Sequence, residues 1–141
     1  MHATEMQNIQ TLRTMGQKQG VATVLKPYLV LLRHGESEFN KKNLFTGTEN
    51  PPLTGRGRGE AMWAAQNISK LGIALDVGYV SQFERARETM QIVLEELGRL
   101  DMPVLETSVL NARNYGILQG MDKGEADAKY GKEVVWQWKR R

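Results

Sequence analysis

The run Tyr28-Leu29-Val30-Leu31-Leu32-Arg33-His34-Gly35-Glu36 sets an unbroken apolar segment directly before an arginine, a histidine and a glycine. A short apolar run bounded by Pro27 and Gly35 reads as a strand buried on both faces, as in a parallel sheet. Downstream, residues 40–52 are rich in Asn, Thr, Gly and Pro and read as a loop. Thr54 can cap a helix through its side-chain oxygen. Ala61, Met62, Ala64, Ala65, Ile68 and Leu71 then recur at helical spacing, and Gly72 is placed to end that helix. A second strand is expected over Asp76 to Ser81. Phe83, Ala86, Met90, Val93, Leu94 and Leu97 form the apolar stripe of a second helix, ended by Gly98. Pro103 to Glu106 reads as a third strand, and Asp122 to Tyr130 and Glu133 to Lys139 as helices separated by Gly131. Strands alternating with helices imply an α/β fold, a mostly parallel sheet flanked by helices.

Composition narrows the function classes. The chain has 141 residues, enough for one domain, with 40% hydrophobic and 25% charged residues, a globular balance. No apolar run approaches the length that spans a bilayer, so no membrane association is expected. Cysteine is absent, which excludes disulfides and thiolate metal sites, and the two histidines are too few for an imidazole zinc cluster. No metal is therefore expected. The net charge of +3 suits small anions. Nucleic acid is not an expected partner, because Lys and Arg are scattered among nearly as many Asp and Glu instead of forming a basic stripe. Residues 1–26 have no sustained period and no apolar core of a secretory signal, and are read as a disordered extension or an overlong start. Arg13 and Lys18 give a weaker organelle-targeting reading.

Arg33-His34-Gly35-Glu36 falls at the C-terminal end of the first expected strand, where ligand sites of open α/β sheets lie. A neutral imidazole there can attack phosphorus, and a guanidinium beside it can hold the transferring oxygens. Gly35 would let a phosphate approach the backbone. Alone, the Arg-His-Gly triplet would more simply be a hydrogen-bonded turn. Arg85 stands in the first turn of a helix, where the macrodipole disfavours a cation. A bound anion would account for it.

The triplet has company. The stretch from Leu29 to Asn40, with Phe45-Thr46-Gly47, Leu53-Thr54-Gly55, the run from Ser81 to Ala86, the run from Leu110 to Gly116, Leu118-Gln119-Gly120, Lys123, the run from Ala128 to Gly131 and Trp138-Lys139-Arg140, resembles 2,3-bisphosphoglycerate-dependent phosphoglycerate mutases. These are members of the histidine phosphatase superfamily, and the resemblance covers residues 28 to 141 without a gap. It implies a phosphoglycerate-mutase-like fold and interconversion of 3-phosphoglycerate and 2-phosphoglycerate in glycolysis and gluconeogenesis. It implies His34 as the nucleophile forming a phosphohistidine, with Arg33 and Arg85 holding the phosphoryl group. Ser37, Asn40, Thr46 and Gly47 would contribute hydrogen bonds to the phosphoryl group or the substrate. Arg113, Tyr115, Lys123, Lys139 and Arg140 would hold the carboxylate and second phosphate. The implied cofactor is 2,3-bisphosphoglycerate, the implied ligands are phosphoglycerates, and the implied location is the cytoplasm. A homo-oligomer accords with the resemblance, but no residue fixes its order.

The pattern also breaks. Ala112 stands where the resemblance implies a glutamate that moves protons at the substrate oxygen, and losing such a group costs about 10²–10⁴ in rate. Thr48 and Asn114 replace a tryptophan and a histidine. The second histidine of the family's pair has no counterpart, since His2 lies in the extension. Residues 27–141 are thus expected to be the N-terminal portion of the domain, its C-terminal part missing. Strand faces and edges left uncovered would then make the chain associate. Besides the mutase, three readings stay open: a histidine phosphatase, an anion-binding protein with little turnover, and a fragment without independent activity.

Overall fold

The computed structural model describes residues 27–140. The extension, with its targeting reading and His2, lies outside the described residues, as does Arg141. A single helical turn, α1 (Glu38–Lys41), follows the histidine loop and is closed by a reciprocal cap between Ser37 and Asn40. Helix α2 (Gly55–Lys70) starts where the Thr54 hydroxyl accepts the Gly57 N–H at 3.0 Å. Such a cap contributes about 1 kcal/mol. The helix ends at Leu71, and Gly72 turns the chain at φ +63°. Its inner face is Gly57, Ala61, Ala65 and Ile68.

Strand β1 (Gly78–Val80), helix α3 (Glu84–Glu96) and strand β2 (Val104–Glu106) form a β-α-β unit. The two strands pair in parallel, Gly78 opposite Val104 and Val80 opposite Glu106. Helix α3 packs against α2 and β1. Its buried residues are Arg85, Thr89, Val93 and Leu94. The apolar stripe read from the sequence is therefore correct only at its C-terminal end. Toward the N-terminus the inward face is polar, because it meets the histidine loop instead of a hydrophobic core.

The expected first strand is not formed. Residues 28–32 form no regular element and pair with neither β1 nor β2, so among the described residues the sheet has two strands and not three. Leu29 and Leu31 are 82% and 85% exposed, and Val30 packs against Ala65, Ile68 and Val93. Burial on both faces requires a hydrogen-bonded neighbour and a cover on each side. The described residues supply one apolar neighbour for this run, on one side.

The C-terminal third is a separate small core. Two 3-10 turns (Ser108–Leu110 and Gly116–Leu118) lead to α4 (Lys123–Tyr130) and α5 (Lys132–Arg140). Phe45, Leu118, Ala126 and Val135 are buried together, with Tyr115, Met121 and Tyr130 packed around them. Phe45 is stitched to this unit from both sides, its N–H donating to the Met121 carbonyl at 2.9 Å and its carbonyl accepting from Gly120 N–H at 2.8 Å. The Lys123 N–H donates to the Asn43 carbonyl at 3.1 Å. Those bonds carry the start of α4 back to the histidine loop.

Candidate active site

His34 sits half-buried on the loop before α1. Its Nδ1 lies 2.7 Å from the Gly35 carbonyl, and its Nε2 lies 3.3 Å from Nε of Arg85. A carbonyl only accepts and a guanidinium only donates. Both bonds therefore require the proton on Nδ1 and leave the Nε2 lone pair toward Arg85. Burial lowers the imidazole pKa from its ordinary value; the Gly35 carbonyl acts upward, and Arg85 and then Arg33 act downward. The ring is neutral near pH 7, the form that can attack an electrophile.

Arg85 is buried, and its guanidinium is held by carbonyls. Nη1 donates to the Glu49 carbonyl at 2.8 Å and Nη2 to the Gly47 carbonyl at 3.3 Å, while the group lies 4.4 Å from the centre of the Phe83 ring. Burial, then the charge of Arg33, lowers its pKa from the ordinary value. No carboxylate pairs with it among the described residues. A buried cation that keeps its charge without a carboxylate is an anion site in electrostatic terms.

Arg33, His34, Glu36, Asn40, Glu60 and Lys123 line a cleft of about 300 Å³. Its two carboxylates belong to the framework. Glu36 Oε1 accepts the Thr54 hydroxyl at 2.8 Å, and Glu60 Oε2 accepts the Glu36 N–H at 2.9 Å. Arg56 bonds Glu60 at 3.0 Å and lies 4.0 Å from Glu36. The donors left facing the cleft are Arg33, Asn40 and Lys123, beside the His34 ring.

Gly35 also has a packing role. A Cβ there would lie 2.1 Å from the Gly57 carbonyl oxygen, and one on Gly57 would lie 2.1 Å from that of Glu36. The two glycines let the histidine loop rest directly on the first turn of α2.

The structure brings the other expected residues together unevenly. Ser37 is wholly buried; its hydroxyl bonds Asn40 Oδ1 at 3.0 Å, so it shapes the loop from beneath and does not reach the cleft. Gly47, at φ +54°, supplies a carbonyl to Arg85, and Thr46 is half-buried just before it. Arg113, Tyr115 and Lys139 form a second group. Arg113 donates to the Lys139 carbonyl at 2.8 Å and lies over the Tyr115 ring, while Lys139 lies over Phe45. Arg140 stands apart, stacked 4.4 Å from the Trp136 ring. Ala112 is exposed in the extended stretch before Tyr115.

Two framework residues escaped the sequence reading. Gln119 Oε1 accepts from the Thr48 N–H and hydroxyl, each at 2.9 Å, and from the Tyr115 N–H at 3.3 Å. It joins the loop that holds Arg85 to the Tyr115 turn. Thr89 links Gly35 to Arg85. The amide of Gln119 lay inside a quoted motif, but nothing in the sequence signals which backbone groups it reaches.

The family model for the histidine phosphatase superfamily (branch 1) matches residues 29–141. This chain belongs to that superfamily. Two relatives named 2,3-bisphosphoglycerate-dependent phosphoglycerate mutase, from Parvibaculum lavamentivorans and Bartonella quintana, are 52% and 45% identical to it over 112 residues. Those alignments cover 79% of this chain and 53% and 54% of the relatives, so the chain spans about half their length. Among solved structures, a mycobacterial glucosyl-3-phosphoglycerate phosphatase complexed with VO3 matches at a TM-score of 0.63 and 25% identity, covering 74% of this chain and 48% of that one. The superfamily fold is α/β, as expected from the alternating elements. No helix among the described residues is long and apolar enough to cross a membrane.

Proposed function

We propose that this chain carries the nucleophile half of a 2,3-bisphosphoglycerate-dependent phosphoglycerate mutase site. In this reading residues 27–141 are the N-terminal portion of the catalytic domain, residues 1–26 are an extension, and the enzyme works in the cytoplasm. The observation that carries it is the pairing of a neutral imidazole with a buried guanidinium whose partners among the described residues, besides that ring, are carbonyls and an aromatic face. Nε2 of His34 attacks phosphorus, and the departing oxygen of the donor takes the bonding pair away. Arg85 and Arg33 balance the charge on the three phosphoryl oxygens, the main lever in phosphoryl transfer. The phosphoryl group then passes from Nε2 to another hydroxyl of a glycerate, the P–N bond breaking as the hydroxyl gives its proton to water, which frees the ring.

The donor set fits 2,3-bisphosphoglycerate, a small polyanion, because Arg33, Asn40 and Lys123 line the cleft with His34, and Arg85 bonds the same ring. When bound, that molecule supplies the phosphoryl group that primes His34. Arg113, Tyr115, Lys139 and Arg140 would take the carboxylate and second phosphate, with Thr46 and Gly47 beside the transferring group. The experiment is incubation with radiolabelled 2,3-bisphosphoglycerate followed by peptide mapping. Acid-labile, alkali-stable label on His34 supports the reading, and absence of label at saturating donor removes it.

Ala112 favours a second reading, anion binding with little turnover, because a methyl group moves no proton. Label on His34 that 3-phosphoglycerate discharges slowly fits that reading. Ala112→Glu would then speed the discharge by about 10²-fold or more.

A further inference from the structure

Helix α3 carries Arg85 and, one turn later, Thr89, both facing inward and both buried. The Thr89 hydroxyl donates to the Arg85 carbonyl at 2.7 Å and accepts the Gly35 N–H at 3.1 Å. One side chain thus joins the backbone of the residue after the nucleophile to the backbone of the residue that faces it. Among the described residues, the Gly35 N–H is the only backbone N–H of residues 28–35 with a hydrogen-bond partner. Among the described residues, the segment that delivers His34 belongs to no sheet, so it has no ladder to fix its position along α3. Gly57 limits how closely that loop can approach α2, and the bonds of Glu36 N–H to Glu60 and of Thr54 N–H to the Glu36 carbonyl tie the next residue to α2 and its cap, not to α3. The Gly35–Thr89 bond sets the register along α3.

We propose that Thr89 is a positioning residue, setting the placement of His34 against Arg85 through the Gly35 N–H. The proposal rests on the phosphoryl-transfer reading only for its consequence in rate; the placement itself can be measured without turnover. Deleting the hydroxyl while keeping the shape leaves the Gly35 N–H without its acceptor. The loop is then free to slide, and a displacement near 1 Å costs on the order of 10²-fold in a positioned reaction.

The test compares Thr89→Val, which keeps the branched shape, with Thr89→Ser, which keeps the hydroxyl, in the 141-residue chain. Proton NMR follows the two histidine rings through pH, with His2→Gln assigning the signals. The charged groups around the ring are Arg33 and Arg85, with Glu36, Glu60 and Lys123 across the cleft. The expected result is a His34 midpoint that moves up toward the ordinary value in Thr89→Val and matches the parent in Thr89→Ser, with circular dichroism unchanged in both. Labelling of His34 by 2,3-bisphosphoglycerate would fall on the order of 10²-fold in Thr89→Val and be retained in Thr89→Ser. A folded Thr89→Val chain with the parent midpoint overturns the proposal. If Thr89→Val does not fold, Thr89→Ser decides: the parent midpoint upholds the role of the hydroxyl, and a shifted midpoint in a folded chain overturns it. Absence of label in the parent chain counts against the phosphoryl-transfer reading and leaves the NMR comparison intact.

Discussion

Arg85 rests on His34: its Nε–H reaches the imidazole Nε2 across 3.3 Å, so the guanidinium covers the lone pair that would attack phosphorus in the proposed transfer. The same group has two other N–H donors committed to the carbonyls of Gly47 and Glu49. Attack therefore requires the Nε–H to pass from the ring to a phosphoryl oxygen while the other two bonds hold the guanidinium still.

A lysine at position 85 would keep the charge and lose the fork that makes this exchange geometric. Arg85→Lys is expected to slow labelling of His34 by about 10²–10³-fold, the usual loss when a donor that stabilises a transition state is removed. Single-turnover labelling at saturating donor measures it, with folding checked by circular dichroism. A rate close to the parent's would show that charge alone suffices at this position.

The depressed His34 pKa gives a signed pH dependence. Only the neutral ring attacks, so labelling should rise with pH and level off with a midpoint below 6.5, the ordinary value. Stability follows the same direction. Between the lowered folded value and 6.5 the unfolded chain binds the proton and the folded chain resists it. Thermal stability attributable to this residue is thus complete above 6.5 and is lost as pH falls through that window. Melting of the parent and of His34→Gln across that range isolates the contribution.

Two glycines in the first turns of α2 should respond to alanine with opposite signs. A Cβ on Gly57 meets the Glu36 carbonyl oxygen at 2.1 Å, backbone against backbone, while one on Gly59 meets nothing within 4 Å. Gly59→Ala should stabilise by about 0.5–1 kcal/mol through helix propensity. Gly57→Ala should destabilise by about 1–3 kcal/mol through overpacking and displace the loop bearing His34. Urea midpoints of the two variants give the comparison.

The uncovered run at residues 28–32 should make the chain self-associate. Tyr28, Leu29 and Leu31 are each at least 70% exposed, and Tyr79 and Leu105 on the strands are about half exposed. Exposed apolar side chains in this number favour association. Sedimentation of the parent chain should show species heavier than 16.0 kDa that Leu29→Lys with Leu31→Lys converts to monomer. A monomeric parent at high concentration would contradict this.

How much of this could be read from residues alone varied with the kind of interaction. Helix limits set by Thr54, Gly72 and Gly98 were legible, because capping and left-handed turns are local. The strand expected at 28–32 was not, since an apolar run states a need for burial without naming what supplies it. The inward face of α3 was misjudged at its first turns for a related reason. Apolar spacing selected Phe83, Ala86 and Met90, whereas Arg85 and Thr89 are buried because the loop opposite offers polar groups. In the site, the resemblance points to His34 and Arg85, but their mutual bond and the carbonyls that hold the guanidinium depend on backbone placement, which no side-chain pattern encodes. The cap that Ser37 forms with Asn40 is likewise a matter of loop placement.

Carbonyls, not carboxylates, hold Arg85, and this has a consequence for inhibitor chemistry. A carboxylate partner would have let the site tolerate uncharged occupants, since the cation would already be neutralised. Here an occupant lacking negative charge, set against His34, would leave the neighbouring buried guanidinium without a counter-charge. Compounds aimed at this cleft should therefore lose affinity steeply when a phosphate is replaced by an uncharged mimic, and prodrug masking of the anion should abolish binding until the mask is removed.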